Sequence, residues 1–103
     1  MKIRNQFSRQ TVDIYAIYWI GENTYFYGLP KGNGGLTVYK LENGIDIVDP
    51  NLDGDFIYYN EGIFYKSLIE EKLLDDLLEY DETAYKRFLE ILKAEGRIDQ
   101  DFY

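Results

Sequence analysis

The sequence predicts an α+β domain: a largely antiparallel β-sheet of about four to six strands, followed by two C-terminal helices packed on it. Three observations predict it. The first two-thirds of the chain runs in short β-branched and aromatic stretches, punctuated by Gly, Asn and Asp. In the last third, apolar residues recur at helical spacing. The chain has 103 residues, 46% of them apolar, with no linker or repeat to divide them. That is enough for one modest core, so residues 1–103 read as a single domain.

The strands follow in order. Val12 to Ile20, VDIYAIYWI, places Val12, Ile14, Ala16, Tyr18 and Ile20 on one face and Asp13, Tyr15, Ile17 and Trp19 on the other. Most of both faces is apolar, which marks a central strand. Gly21-Glu22-Asn23 supplies a turn, and Thr24-Tyr25-Phe26-Tyr27 returns. Leu29-Pro30-Lys31-Gly32-Asn33-Gly34-Gly35 reads as a mobile connection. Leu36–Leu41 and Ile45–Val48 read as a hairpin around Glu42-Asn43-Gly44, where Asn-Gly accepts positive φ cheaply. Phe56 to Tyr59 is a fifth strand, which Asn60-Glu61-Gly62 turns into the short piece Ile63-Phe64-Tyr65.

The helices come next. Ser67-Leu68-Ile69-Glu70 matches a capping box, opening a helix from Ser67 to Leu78 with Ile69, Leu73, Leu74, Leu77 and Leu78 on its apolar face. Asp81 or Thr83 caps a second helix, Asp81 to Ala94, with an apolar face of Ala84, Tyr85, Phe88, Leu89, Ile91 and Leu92. Gly96 is its natural stop.

Composition excludes whole classes of function. With no cysteine and no histidine, disulfide frameworks, cysteine zinc sites and histidine-dependent catalysis are ruled out. The remaining inventory of acid, base and nucleophile is poor, and no carboxylate pair occupies an apolar setting of the kind a two-acid hydrolase needs. The chain is therefore expected not to be an enzyme and to carry no cofactor. Its apolar runs are too short to cross a bilayer, and no apolar stretch follows the basic N-terminus, so a soluble cytoplasmic protein is expected.

Two local strings invite ligand readings. Asp49-Pro50-Asn51-Leu52-Asp53-Gly54-Asp55 opens like a calcium loop, with oxygen ligands at alternate positions and glycine at the turn. Its twelfth position is Asn60 where a bidentate glutamate belongs, and Ile45–Val48 before it is strand-like. A calcium-binding module is thus the alternative reading; no metal ligand is assigned. Lys31-Gly32-Asn33-Gly34-Gly35 suggests a phosphate cradle, but it leads into a strand and no Lys-Ser/Thr follows.

Charge carries the functional expectation. Residues 1–11 hold three bases and no acid, a net of +3, whereas residues 49–103 hold fifteen acids and six bases, a net of −9. An acidic half repels nucleic acid and anionic membrane and attracts basic proteins. Glu71, Asp75 and Glu79, spaced i, i+4, i+8 on the first helix, form an acidic ridge whose like charges oppose one another. The exposed arc of the second helix alternates acids and bases and compensates itself. Eleven tyrosines exceed what one small core can bury, and tyrosine is a preferred interface residue. Tyr58 and Tyr59, beside the acidic Asp49, Asp53 and Asp55, are the best such cluster. Those eight residues, Glu71, Asp75, Glu79, Asp49, Asp53, Asp55, Tyr58 and Tyr59, are the expected partner-binding set.

In whole-chain character (small, acidic, cysteine-free, strands and then the helices Ser67–Leu78 and Asp81–Ala94, with VDIYAIYWI and DPNLDGDFIYYNEG as aromatic and acidic blocks) the sequence resembles bacterial immunity proteins. These neutralise toxins of contact-dependent growth inhibition and related polymorphic systems. Acidic phage-encoded inhibitors and nucleic-acid mimics are similar by the same criteria. The resemblance implies an inhibitor that occludes the active site of a basic partner, a cognate toxin nuclease domain, without touching nucleic acid or membrane itself. It carries over no individual residue.

Overall fold

In the computed structural model, which describes residues 1–103, seven strands form one antiparallel sheet: β1 (Lys2–Asn5), β2 (Thr11–Ile20), β3 (Asn23–Leu29), β4 (Thr37–Lys40), β5 (Ile45–Asp49), β6 (Phe56–Tyr59) and β7 (Gly62–Tyr65). The helices α1 (Lys66–Glu70), α2 (Leu74–Leu78) and α3 (Glu82–Ala94) follow. The fold is α+β, with the sheet first and the helices after it. None of the helices is long and apolar enough to cross a membrane.

The strand β2 organises everything else. One edge pairs with β3 from Asp13 to Ile20. The other is shared, with β1 alongside Thr11–Asp13 and β7 alongside Ala16–Tyr18. The sheet therefore forks, β5 continuing from β1 and β6 from β7. A bulge between Ile14 and Ala16 breaks the strict alternation that the sequence implies. In a regular strand, residues 14 and 17 face opposite ways. Here Ile14 and Ile17 enter the same cluster, and Tyr15 turns to the helix side, its ring 5.4 Å from both Tyr65 and Phe88.

Both faces of β2 are covered, as its apolar character requires. On one side Tyr15, Leu29, Tyr65 and Leu36 pack against Leu68, Leu73, Leu77 and the α3 residues Ala84, Tyr85, Phe88, Leu89 and Leu92. On the other, Ile3, Val12, Ile14, Ile17 and Phe26 form a second cluster. No helix covers it. The sheet curls around it instead, so that Tyr39 of β4 and Ile45 of β5 contact the same residues from opposite edges. Gly28 permits that curl, because a Cβ there would lie 2.7 Å from Val12 and 2.8 Å from Tyr39.

Several expectations are corrected. Leu36–Leu41 and Ile45–Val48 do not make a hairpin: β4 pairs with β3 and β5 with β1, at opposite ends of the strand order. The Asn43-Gly44 turn serves a crossover over the curled sheet. The unanticipated β1 is real, and so is the short β7. The helix expected from Ser67 to Leu78 is two single-turn helices, interrupted where Lys72 takes φ +55. Its capping box does not form, since Tyr65 is the N-cap residue without a side-chain bond and the Ser67 hydroxyl is buried without a partner. By contrast α3 begins as expected, with Asp81 accepting from the Ala84 amide at 2.8 Å. It ends in a Schellman turn at Gly96, φ +72, with Arg97 N–H on the Leu92 carbonyl.

The glycine-rich connection is pinned down. Gly32 N–H donates to the Tyr103 main-chain oxygen at 2.6 Å, and the Tyr85 hydroxyl donates to that oxygen at 2.8 Å. Asn33 bonds the Thr37 hydroxyl at 2.8 Å.

Buried phenols make the fold alkali-sensitive. Burial first, and then the bond that the Tyr65 hydroxyl donates to Glu95, push Tyr65 up to about 12. Tyr15 is raised by burial and by the neighbouring Asp13 carboxylate, and Tyr18 by burial and its bond with Tyr27. In the unfolded chain all three ionise near pH 10. Raised folded values mean that the unfolded state loses its protons first as pH rises. Urea unfolding followed by circular dichroism should therefore show stability intact below pH 10 and falling steadily through pH 12. A flat profile across that interval would contradict this assignment.

Candidate functional site

The most exposed aromatic surface lies where the β2–β3 turn meets the β6–β7 hairpin. Trp19, Ile20, Tyr58 and Tyr59 are 41%, 59%, 84% and 45% exposed. Trp19, Tyr58, Tyr59, Asn60 and Glu61 line an open hollow of about 640 Å³. The register explains why they are free. The β7 strand pairs with β2 only as far as Tyr18, so on that edge Trp19 and Ile20 project beyond the fork, tied by one bond from Trp19 N–H to the Glu61 carbonyl at 3.2 Å, while the other edge stays paired with β3.

A ladder of rings holds this surface rigid from below. Tyr25 stacks on Tyr18 at 5.1 Å, Tyr18 meets Tyr27 at a tilt at 4.8 Å, Tyr27 meets Phe64 at 6.4 Å and Phe64 meets Tyr59 at 6.0 Å. Successive strands β3, β2, β7 and β6 contribute to it, so the exposed Tyr59 is the end of a braced row.

Around the hairpin tip, Tyr59 and Asn60 also line a second hollow of about 550 Å³, with Ile69, Lys72, Leu74 and Asp75. The two hollows share the tip; the first is largely aromatic with Glu61 at its margin, and the second is mixed, with Lys72 and Asp75 among its lining. Of the eight expected residues, the fold brings three together here: Tyr58, Tyr59 and Asp75.

The others are dispersed. Breakage of the expected helix destroys the acidic ridge, because Glu71 caps α1, Asp75 lies in α2 and Glu79 caps α2. Glu71 is not an unopposed charge either: Arg87 Nη2 and Nε reach its Oε1 at 3.1 and 3.2 Å. Glu79 is exposed but lines neither aromatic hollow. The Asp49–Asp55 loop joins two strands and divides its acids. Asp49 and Asp53 face a polar cleft with Lys2 and Tyr15, whereas Asp55 faces another hollow with Tyr65, Ser67 and Arg87. Asp49 accepts the Asn51 amide at 3.0 Å, an Asx turn. No three acids of the chain form a group that could hold a metal ion.

Trp19, Ile20 and Glu61 were missed from the sequence. Trp19 and Ile20 read as continuations of a buried central strand, and only the early end of β7 exposes them. The available signal was Asn60-Glu61-Gly62, since Tyr59 pairs with Gly62 across a two-residue turn. Both turn residues have positive φ, Asn60 at +42 and Glu61 at +59. Asparagine tolerates that conformation; for glutamate it costs about 1 kcal/mol or more. Strain of this kind concentrates at binding and catalytic sites. Glu61→Gly should therefore stabilise the fold by about 1 kcal/mol, raising the melting temperature by roughly 4–8 °C. An unchanged or lower melting temperature would show that the turn is unstrained.

The arrangement defines a small acidic α+β protein with a rigid aromatic surface. No protein-family model, curated protein or solved structure matches the chain.

Proposed function

We propose that the chain is an inhibitory binding protein of the immunity type, which neutralises a basic toxin, a nuclease domain, by covering its active site. One observation carries this reading: three large aromatic side chains, Trp19, Tyr58 and Tyr59, are exposed and line one hollow on a braced sheet end, with the acids Glu61 and Asp75 beside them. Aromatic residues concentrated in one place are the composition of an interface core, and charges at the margin are that of a rim. A net charge of −8 supports the sign of the partner, because a domain that grips a phosphate backbone must be basic. Opposed fields accelerate encounter and lose that advantage as salt rises.

The test starts with affinity capture from the source cell and purification of the captured basic protein. Trp19 is the sole tryptophan and reports binding through its fluorescence in stopped flow. Association near 10⁸ M⁻¹s⁻¹ at low ionic strength, on the order expected for steered encounter, should slow several-fold as salt is added. The partner's nuclease activity should vanish at one-to-one stoichiometry. Association indifferent to salt, or a partner still active when saturated, rejects the proposal.

A further inference from the structure

Residues 1–11 carry three bases and no acid, and the fold places the loop among them, the β1–β2 connection, at the pole opposite the aromatic hollow. That loop adjoins Thr11, whereas Trp19 and Ile20 end the same strand. The ten-residue β2 spans roughly 30 Å at the strand rise, close to the longest dimension of the molecule, 33 Å.

Phe7 projects from the loop and is 88% exposed, the most exposed large apolar side chain of the protein. Its backbone is nonetheless fixed. Phe7 N–H donates to Asn5 Oδ1 at 2.9 Å, Gln6 N–H to the Gly44 carbonyl at 2.8 Å and Arg9 N–H to the Asn5 carbonyl at 2.6 Å. Arg9 is held at φ +58, a conformation costly to a residue with a side chain and concentrated at binding and catalytic sites. A ring carried on so rigid a loop loses little backbone freedom on docking.

The charges beside Phe7 are also unmatched. Arg4 and Arg9 form no ion pair within the protein, and with Gln6 and Asp46 they line an open hollow of about 460 Å³. Asp46, the one acid there, already accepts from Gln6 at 2.8 Å. The opposite pole offers the inverse. Glu61 is the one charged residue lining the Trp19, Tyr58 and Tyr59 hollow, and Glu22 is exposed in the adjoining β2–β3 turn. Neither acid forms an ion pair. Aromatic walls accept a further ring edge-on or offset, and carboxylates match guanidinium groups in sign and geometry. Repulsion between two chains of net charge −8 is screened beyond about 8 Å at physiological ionic strength, so the charges at the contact decide.

We infer that the chain associates with itself head to tail. Phe7 of one copy enters the aromatic hollow of the next, with Arg4 and Arg9 against Glu22 and Glu61. Two patches at opposite poles do not close a dimer, so the contact repeats and gives open chains that lengthen with concentration. A contact built on one loop tip belongs to the small, transient class of interfaces and dissolves on dilution. The inference does not rest on the immunity reading. Where both hold, the surface that meets the toxin is covered in the concentrated protein and freed on dilution.

The experiment is sedimentation equilibrium of the full chain from about 10 μM to about 1 mM, the range of weak contacts, with NMR amide shifts followed over the same range. The weight-average mass should rise more than twofold without a plateau at the dimer, and shifts should grow at both Phe7–Arg9 and Tyr58–Glu61. Phe7→Ala, Arg9→Glu and Glu61→Arg should each leave the chain monomeric with unchanged circular dichroism, since all three side chains are exposed. An equimolar mixture of Arg9→Glu and Glu61→Arg should associate again, because the reversed loop of one meets the reversed hollow of the other. A chain that stays monomeric throughout the range overturns the inference. So do shifts confined to one pole, undiminished association in a folded Phe7→Ala, or a mixture that remains monomeric. No partner protein enters these measurements, so their failure leaves the immunity reading standing.

Discussion

Phe88→Ala should remove about 3–5 kcal/mol of stability, the usual cost of truncating a large buried aromatic. Phe88 has no exposed surface and joins α3 to the sheet through Tyr15 and Tyr65, at ring distances of 5.4 and 6.4 Å. Each such edge-on pair adds roughly 0.5–1.5 kcal/mol beyond area burial. The effect reaches past α3. The five-residue helices α1 and α2 are too short to persist without packing, since isolated helices under about 12 residues are marginal, and they lean on the same core. With a total of about 5–15 kcal/mol available to a domain, that is a large fraction of the margin. The melting temperature should fall by roughly 15 °C or more. Leu41→Ala, at a site 41% exposed, is the control and should change it little. A loss below about 1 kcal/mol in Phe88→Ala would mean that α3 is not anchored as described.

What the sequence made legible follows from how local each determinant is. The identity of β2 is written in its own residues, and so are the cap at Asp81 and the stop at Gly96, because each depends on neighbours a few positions away. The break between α1 and α2 is not. Glu71-Lys72-Leu73 contains neither glycine nor proline, and the apolar spacing of Leu73, Leu74 and Leu77 survives the interruption, so periodicity alone joins the two. The positive φ at Lys72 has no local signal in these residues. Strand pairing failed for a related reason. Asn43-Gly44 signals a turn but not its partner strands, and only the curl around Ile3, Val12, Ile14, Ile17 and Phe26 sends β4 and β5 to opposite edges. β1 was missed because Lys2-Ile3-Arg4-Asn5 offers a single inward side chain.

The same limits explain the candidate site. Tyr58 and Tyr59 stood out by composition, and Asp75 by charge. Yet the ridge of which Asp75 was a part relied on a continuous helix, and Arg87 approaches Glu71 from α3, a contact that no spacing within residues 67–78 can reveal. Acids close in sequence around Asp53 separate in space, since β5 and β6 belong to different branches of the forked sheet.

Trp19→Ala and Tyr58→Ala should each weaken binding to the basic partner by at least about 30-fold, which corresponds to roughly 2 kcal/mol, the threshold of an interface hot spot. Trp19 is fixed by its bond to the Glu61 carbonyl and Tyr58 by strand pairing with Ile63, so neither backbone must be ordered on binding, and apolar area converts efficiently into affinity. The loss should fall mainly on the off-rate. Glu61→Lys combined with Asp75→Lys should act differently: a several-fold slower association with a shallower salt dependence, because these marginal charges steer the encounter. Glu79→Lys, outside both hollows, and Glu71→Lys, whose charge is already met by Arg87, should cost less in on-rate than that pair. Glu61→Gly adds a cross-check, since relief of the turn should raise stability while loss of the carboxylate slows association. If Trp19→Ala and Tyr58→Ala bind as tightly as the parent while retaining its circular dichroism, the aromatic surface is not the contact and the acids act elsewhere.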